Sequence, residues 1–103
     1  MKPILITAVE EELLAYIGQE AYIHCEATSD LFVRNFKVSV TEAHLAGDGA
    51  YRVALRFKSI GWLRMEGLTH YEVDRQGRLL MAGFDGRGRM HVALELGKEP
   101  FPE

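Results

Sequence analysis

The sequence predicts a mainly-β protein, a sandwich or barrel of about seven short strands that follow one N-terminal helix. Two changes along the chain support this fold class. Hydrophobic residues recur with a helical period as far as Gly18, and beyond it they alternate with polar residues, as in a strand with one buried face. Turn signals built from Gly and Asp then divide the remainder into short segments, which is typical of antiparallel sheets.

Composition indicates one soluble domain over residues 1–103. The 103 residues include 48% hydrophobic and 26% charged residues, with a net charge of −3. A chain of this size can bury a core without disulfides, and the single cysteine, Cys25, favours a reducing compartment such as the cytoplasm. Glu10, Glu11 and Glu12 stand where a signal peptide would be apolar. One Asn and two Gln in the whole chain favour a heat-adapted source.

The first element is predicted as a helix at about 8–18. Thr7 and Glu10 have the spacing of a capping box, in which each side chain satisfies a free backbone donor. An apolar stripe follows at helical spacing, formed by Val9, Leu13, Tyr16 and Ile17. Gly18 supplies the stop signal.

Strands are predicted next, at 20–28, 32–40, 51–58, 62–66, 69–73, 78–84 and 89–96. Alternation gives each strand a buried face. The core positions that we expect from the helix and these strands are Leu13, Ile17, Ile23, Val38, Val53, Leu55, Leu80, Val92 and Leu94. The prolines of the tail 97–102 prevent it from extending a central strand.

Several blocks of the sequence resemble the YojF family of bacterial proteins. They are YIH (22–24), VRNFKV (33–38), GAYRVAL (49–55), GW (61–62), EGLTHYEVD (66–74), RLLMAG (78–83), LEL (94–96) and PF (100–101). Ala50 departs from the family, where a proline is expected. The resemblance implies a folded sheet or pseudo-barrel and carries no catalytic residues. It also implies a partner, since members can be encoded beside a deacetylase of bacillithiol synthesis, a low-molecular-weight thiol pathway.

A repeated His-x-Glu provides the metal-ligand candidates, His24 with Glu26 and His70 with Glu72. Two residues apart on a strand, both side chains of a pair point to one face, and imidazole with carboxylate suits zinc or iron. Alternating polar residues on a solvated sheet face produce the same pattern, and we favour that interpretation.

A basic stretch provides the anion-binding candidates, Arg52, Arg56, Lys58 and Arg64, which surround Trp62 in sequence. Arginine next to an aromatic ring can hold phosphates or acidic partner surfaces. Cross-strand pairing with Glu26, Glu66 or Glu72 is the structural alternative. Nucleic acid is disfavoured because the chain as a whole is acidic.

Two further residues interrupt or occupy the predicted core. Arg34 breaks an apolar alternation, so we expect it to pair with a carboxylate, Glu42, Glu66 or Glu72, in preference to anchoring a ligand. Cys25 falls on the core face, which predicts an unreactive buried thiol.

These observations favour a non-catalytic binding or accessory protein, without a cofactor, that self-associates or supports a metabolic enzyme. We expect a homodimer or larger closed oligomer, because 78–84 and 90–96 are apolar segments of which one could leave a bare strand edge. Exposed aromatic residues, Trp62 and Phe101 with Phe84, are the predicted interface anchors. The alternative is a small metal-binding hydrolase that uses His24, Glu26, His70 and Glu72.

Overall fold

The computed structural model describes residues 1–103 and contains one antiparallel sheet and one helix. In chain order, the elements are β1 (Lys2–Pro3), α1 (Ile6–Leu14), β2 (Glu20–Ala27), β3 (Leu31–Asp48), β4 (Ala50–Phe57), β5 (Gly61–Leu68), β6 (His70–Val73), β7 (Leu79–Phe84) and β8 (Met90–Gly97). The predicted mainly-β class is confirmed, with eight strands instead of about seven.

The sheet is strongly curled, and its connectivity requires this. The strand order is β1-β6-β7-β8-β2-β3-β4-β5, so β5 and β6 lie near opposite ends of the sheet. Only Thr69 separates them in the chain. The two ends must therefore approach each other, and Thr69 joins them by donating its amide to the carbonyl of Ala82, at 2.9 Å, and accepting from the amide of Ile4, at 3.0 Å.

A pair of glycines permits this approach. Gly83 of β7 faces Gly67 of β5, and a Cβ at Gly83 would collide with the Gly67 carbonyl oxygen and with the side chain of Val92. The backbone conformation of Gly83 itself is one that any residue adopts. Space, and not backbone strain, is thus what requires glycine at this position.

The long strand β3 belongs to both halves of the curled sheet. Its first half pairs with β2 and its second half, from Val40 onward, pairs with β4. The sequence predicted only 32–40, because Thr41 and Glu42 interrupt the apolar alternation at a β-bulge. The strand continues through the bulge, so the prediction was too short.

The helix begins and ends earlier than predicted. It spans Ile6–Leu14 instead of 8–18, with Leu5 at its N-cap and no side-chain cap. Thr7 lies inside the helix, so the predicted capping box is wrong. Val9 and Leu13 face the core as expected, whereas Ile17 lies beyond the helix end and is exposed. No helix in the structure combines the length and apolar composition of a membrane span.

One hydrophobic core fills the concave side of the sheet. Of the predicted positions, those buried are Leu13, Ile23, Val38, Val53, Leu55 and Leu94. Val92 is only partly buried but packs against the core. Leu80 was misassigned, because Leu79 and Met81 of the same strand face inward and leave Leu80 on the outer face opposite Glu95.

The turn between β6 and β7 is stabilised by one carboxylate. Asp74 accepts the backbone amides of Gln76 and Arg78, each at 2.9 Å, and the Nε of Arg78 at 2.6 Å. Gly77 supplies the positive φ that the turn needs. Burial would raise the pKa of Asp74, but the hydrogen bonds from Arg78 and Gln76 outweigh it and leave that pKa below its ordinary value.

The turn between β7 and β8 repeats this arrangement. Asp85 accepts the amides of Arg87 and Arg89 and the Nε of Arg89, with Gly88 at positive φ. The Arg89 amide and then the Arg87 amide lower the pKa of Asp85. The turns before and after β7 are therefore fixed in the same way, by an aspartate that accepts two backbone amides and the Nε of an arginine.

We predict that Asp74 makes folding stability depend on pH. Because the folded pKa of Asp74 is lowered, the unfolded chain binds this proton first as the pH falls, so the stabilisation is present above about pH 4 and is lost below it. Asp74→Asn should lower the urea midpoint at pH 7 and should narrow the difference between pH 7 and pH 2. Asp30→Asn, in the β2–β3 turn and without an ion pair, is the control. An unchanged pH dependence in Asp74→Asn would contradict the assignment.

Candidate functional site

The outer face of β3, β4 and β5 gathers the predicted basic residues. Ala54 lies in register between His44 of β3 and Arg64 of β5. The neighbouring cross-strand row places Arg56 between Glu42 and Trp62. Strand pairing therefore brings the arginines and the single tryptophan together on one surface.

This surface contains a shallow depression of about 720 Å³. Its lining residues, which we call the basic face, are His44, Ala46, Arg52, Ala54, Trp62 and Arg64. The two alanines have short side chains and form the floor, and the longer side chains surround it. Arg56 and Lys58 lie outside the basic face, in an adjoining depression of about 640 Å³ that Trp62 also lines.

The arginines differ in how far their charge is already paired. Arg56 binds Glu42 at 3.0 Å, while Arg64 lies 3.8 Å from Glu66 with both side chains exposed, a weak pairing. Arg52 and Lys58 form no ion pair. Cross-strand pairing thus occurs for Arg56, but with Glu42 and not with Glu26, Glu66 or Glu72 as predicted. Of the predicted carboxylates only Glu66 lies near one of these arginines, Arg64, and Arg52 has no carboxylate partner.

Glu42 is the acidic residue at the border of the basic face. The hydrogen bond with His44, and after it that from Arg56, lowers the pKa of Glu42 below its ordinary value. Glu42 therefore stays ionised and holds Arg56 and His44 in place. The guanidinium of Arg56 also lies 5.8 Å from the centre of the Trp62 ring, a cation–π distance.

An apolar cleft of about 420 Å³ lies next to this surface. All eight residues that line the apolar cleft are hydrophobic: Ile23, Cys25, Val33, Phe36, Phe57, Ile60, Trp62 and Leu63. Ile23, Cys25 and Phe57 are buried and form its floor. Ile60 and Trp62, which are 62% and 56% exposed, form its rim together with Phe36.

Trp62 is common to the apolar cleft and the basic face. It lies on β5, the last strand of the sheet, which pairs only with β4. From that edge its large ring contributes to both the outer surface and the cleft. The predicted exposure of Trp62 is confirmed, and its role as an interface anchor stays a prediction.

Cys25 occupies the floor of the apolar cleft as a buried free thiol. Burial, with a smaller contribution from Glu26, raises the pKa of this thiol. A raised pKa lowers the thiolate fraction at neutral pH, so the expectation of an unreactive thiol agrees with the geometry.

His24 is buried, at 3% exposure, and both of its ring nitrogens are engaged. Arg34 lies 3.1 Å from Nδ1 and Glu26 lies 2.7 Å from Nε2. A guanidinium can only donate, so Nδ1 accepts and the protonated Nε2 donates to Glu26. The imidazole that sequence offered as a metal ligand is thus held in a hydrogen-bond network, which leaves no free lone pair on the ring.

The second predicted pair, His70 and Glu72, lies on β6, and two strands separate it from His24 and Glu26 on β2. Three strand spacings amount to roughly 14 Å. His70 is 2.7 Å from the hydroxyl of Thr69, and Glu72 is 3.6 Å from the N-terminal amine. The structure therefore does not bring the two pairs to one metal position.

Arg34 does not pair with a carboxylate, so that prediction is wrong. A bulge in β3 shifts the register opposite His24, with Asn35 at a φ of 58°. This shift turns Arg34 away from the core, and it donates to His24 and, at 2.7 Å, to the carbonyl of Pro102. Carbonyl and imidazole acceptors replace the expected carboxylate.

The C-terminal segment 98–103 crosses back over the sheet and is held by Asn35. The Asn35 side chain donates to the carbonyl of Phe101 at 2.8 Å and accepts its amide at 2.6 Å. The Phe101 ring is 3% exposed, with the guanidinium groups of Arg34 and Arg78 on it at 5.5 and 5.3 Å. Phe101 was expected to be exposed at an interface. It is buried within its own chain.

The strand-edge reasoning behind the predicted oligomer also needs correction. Both β7 and β8 have partners on each side within the same chain, so neither leaves a bare edge. The ends of the sheet are β1 and β5. The homodimer itself stays a prediction.

Sequence reasoning missed most of the apolar cleft and the floor of the basic face. Phe36, Ile60 and Leu63 were not singled out, since the cleft is assembled from four strands. One signal was available for the floor. Ala54 stands between Arg52 and Arg56 on β4, and a small residue in a row of long ones indicates a depression.

Fold and site together define a small antiparallel protein with one curled sheet, whose last strand separates a basic face from an apolar cleft. Residues 3–101 match the model of the family described as "Protein of unknown function (DUF1806)", and the chain belongs to this family. It is 36% identical, over an alignment of 115 residues that covers 98% of each chain, to "Uncharacterized protein YojF" of Bacillus subtilis strain 168. The crystal structure of Bacillus subtilis YojF is similar, with a TM-score of 0.91, 38% identity and coverage of 99% of this chain and 97% of that one.

We predict that Asn35 fixes the C-terminal segment. Asn35→Ala removes two hydrogen bonds and places alanine at a left-handed φ, so it should cost about 1–3 kcal/mol and speed amide exchange at Phe101. Asn35→Gly tolerates the left-handed φ but lacks the side chain, so it should be more stable than Asn35→Ala and less stable than the parent. Unchanged exchange at Phe101 in both variants would show that the segment is held by other contacts.

Proposed function

We propose that this protein is a non-catalytic binding protein that holds anionic groups on its basic face. The observation that carries the proposal is Arg52, a guanidinium without a carboxylate partner beside a depression that Arg64 also lines. Structural arginines on a sheet face are expected to find cross-strand carboxylates. Arg52 has none, and Arg64 has only a distant one.

The geometry of the basic face suits a multiply charged small anion. Two guanidinium groups, each able to donate a pair of parallel hydrogen bonds, flank a floor of alanine that leaves room for the ligand. His44 borders the same depression, with its Nε2 bonded to Glu42 and its ring centre 6.0 Å from that of Trp62. Trp62 lines the depression with an apolar ring.

Charge distribution supports the same proposal. The chain carries a net charge of −3, yet no acidic residue occurs between Ala50 and Met65. A local positive field on an acidic protein attracts anions to one place and repels them elsewhere. Binding through exposed arginines should weaken as salt is added, because the screening length falls to about 8 Å at physiological ionic strength.

Titration of the protein with inorganic pyrophosphate, followed by the fluorescence of the single tryptophan and by calorimetry, tests the proposal. Arg52→Gln and Arg64→Gln should each weaken binding about 10- to 100-fold, which corresponds to 1.5–3 kcal/mol for a hydrogen bond to a charged group. Arg75→Gln, an exposed arginine in the β6–β7 turn, is the matched control and should change nothing.

A parallel titration with sodium chloride at the same ionic strength distinguishes specific pyrophosphate binding from a general effect of salt. Saturable pyrophosphate binding that both site variants weaken supports the proposal. An absence of saturation, or an equal loss of pyrophosphate affinity in Arg75→Gln, contradicts the proposal.

A further inference from the structure

The apolar cleft has the features of a site for an alkyl chain. Its volume of about 420 Å³ lies within the range of small-molecule sites, roughly 300–1,000 Å³. It has a buried floor at Ile23, Cys25 and Phe57, and no polar side chain lines it. A ligand there would gain affinity from buried carbon and from little else.

Positive charge surrounds the exposed side of this cleft. The depression that contains Arg56 and Lys58 shares Phe57, Ile60 and Trp62 with the cleft. Glu42 lines the same depression and pairs with Arg56, so the charge of Lys58 is the one left unpaired there. The basic face shares Trp62 with it on the other side. Arg64 lies two residues beyond Trp62 on the same strand face, at a strand rise of roughly 7 Å.

We propose that the basic face and the apolar cleft bind one ligand, an amphiphilic anion. Its carboxylate is held by Arg52 and Arg64, and its alkyl chain passes Trp62 and enters the cleft between Ile60 and Phe36. This inference deepens the proposed function and rests on it, since it names the class of anion that the basic face takes.

Charge complementarity argues for this occupant against a second copy of the chain. A two-fold dimer places the same surface against itself. Around the cleft that arrangement would bring Lys58, which has no carboxylate partner, close to the same cation of the other copy, which is unfavourable. Arg56 and Arg64 add less to this repulsion, because Glu42 and Glu66 lie beside them. An anionic ligand meets these charges with the opposite sign.

The fluorescence of Trp62, the one tryptophan of the chain, reports on both parts of the site. The full chain is titrated with decanoate, octanoate, decanol and inorganic pyrophosphate, below the concentrations at which the amphiphiles aggregate. Removing two methylenes from decanoate should weaken binding about 15-fold, since each buried methylene contributes about 0.8 kcal/mol. Decanol should bind more weakly than decanoate.

Two variants distinguish the contribution of the ligand's carboxylate from that of its alkyl chain. Arg64→Gln should weaken decanoate at least 10-fold and leave decanol unchanged. Ile60→Ser removes an exposed rim side chain, so the fold should survive, and it should weaken decanoate and decanol alike but not pyrophosphate. Leu14→Ser, an equally exposed leucine on α1, is the matched control.

A second reporter lies on the floor of the cleft. Bound decanoate should shift the NMR signals of the Cys25 side chain, whereas pyrophosphate should not. This measurement does not depend on Trp62, so it distinguishes a filled cleft from a ligand that only touches the tryptophan.

The outcomes distinguish the two proposals. If pyrophosphate binds but decanoate binds no better than octanoate, the amphiphile is refuted and anion binding stands. If neither pyrophosphate nor decanoate saturates, both proposals fail. If Trp62 fluorescence and molecular mass change with protein concentration alone, and Ile60→Ser abolishes the change, a second copy fills the cleft and the inference is overturned.

Discussion

The link of one residue between β5 and β6 is the constraint on which the architecture depends. Strand order places these two strands near opposite ends of an eight-stranded sheet, and Thr69 alone joins them. The sheet must curl until its ends meet. Glycine at position 83 provides the room for that meeting, since Gly67 passes directly over it.

The curl builds the surface to which we assign function. It gives the sheet a concave side on which the core collects, and it brings the first half of β3 towards the β4–β5 turn with an apolar gap between them. β5 is the last strand in the order and is hydrogen-bonded only to β4, so Trp62 stands at the boundary between the gap and the outer arginines. A flat sheet with the same strands would have the arginines but no cleft beside them.

Much of the fold could be predicted from local pattern because alternation depends on nearest neighbours in the chain. Val53 and Leu55 alternate with Arg52 and Arg56, and the structure buries the first pair and exposes the second. The helix start was misplaced because Thr7 and Glu10 satisfy the capping spacing without forming the cap. The packing of its apolar face against the core, and not a side-chain cap, determines where this helix forms.

The parts of the site that sequence could not provide depend on register and on non-local contacts. One bulge turns Arg34 from the core to the outer surface, where His24 and Pro102 meet it. The alternation of polar and apolar residues cannot reveal a one-residue shift of this kind. Such a shift moves every side chain beyond the bulge to the other face of the sheet. The burial of Phe101 likewise depends on Asn35, which lies 66 residues away in the chain.

The central claim is that close approach of Gly67 and Gly83 holds the curl, and substitution of Gly83 by alanine tests it most directly. Gly86→Ala is the matched control, because a Cβ at Gly86 meets nothing within 4 Å. Urea denaturation should show Gly83→Ala less stable by about 3 kcal/mol or more, while Gly86→Ala stays within about 1 kcal/mol of the parent. Equal stability of the two variants would contradict the account, since the ends of the sheet would then have no need of the space that glycine leaves.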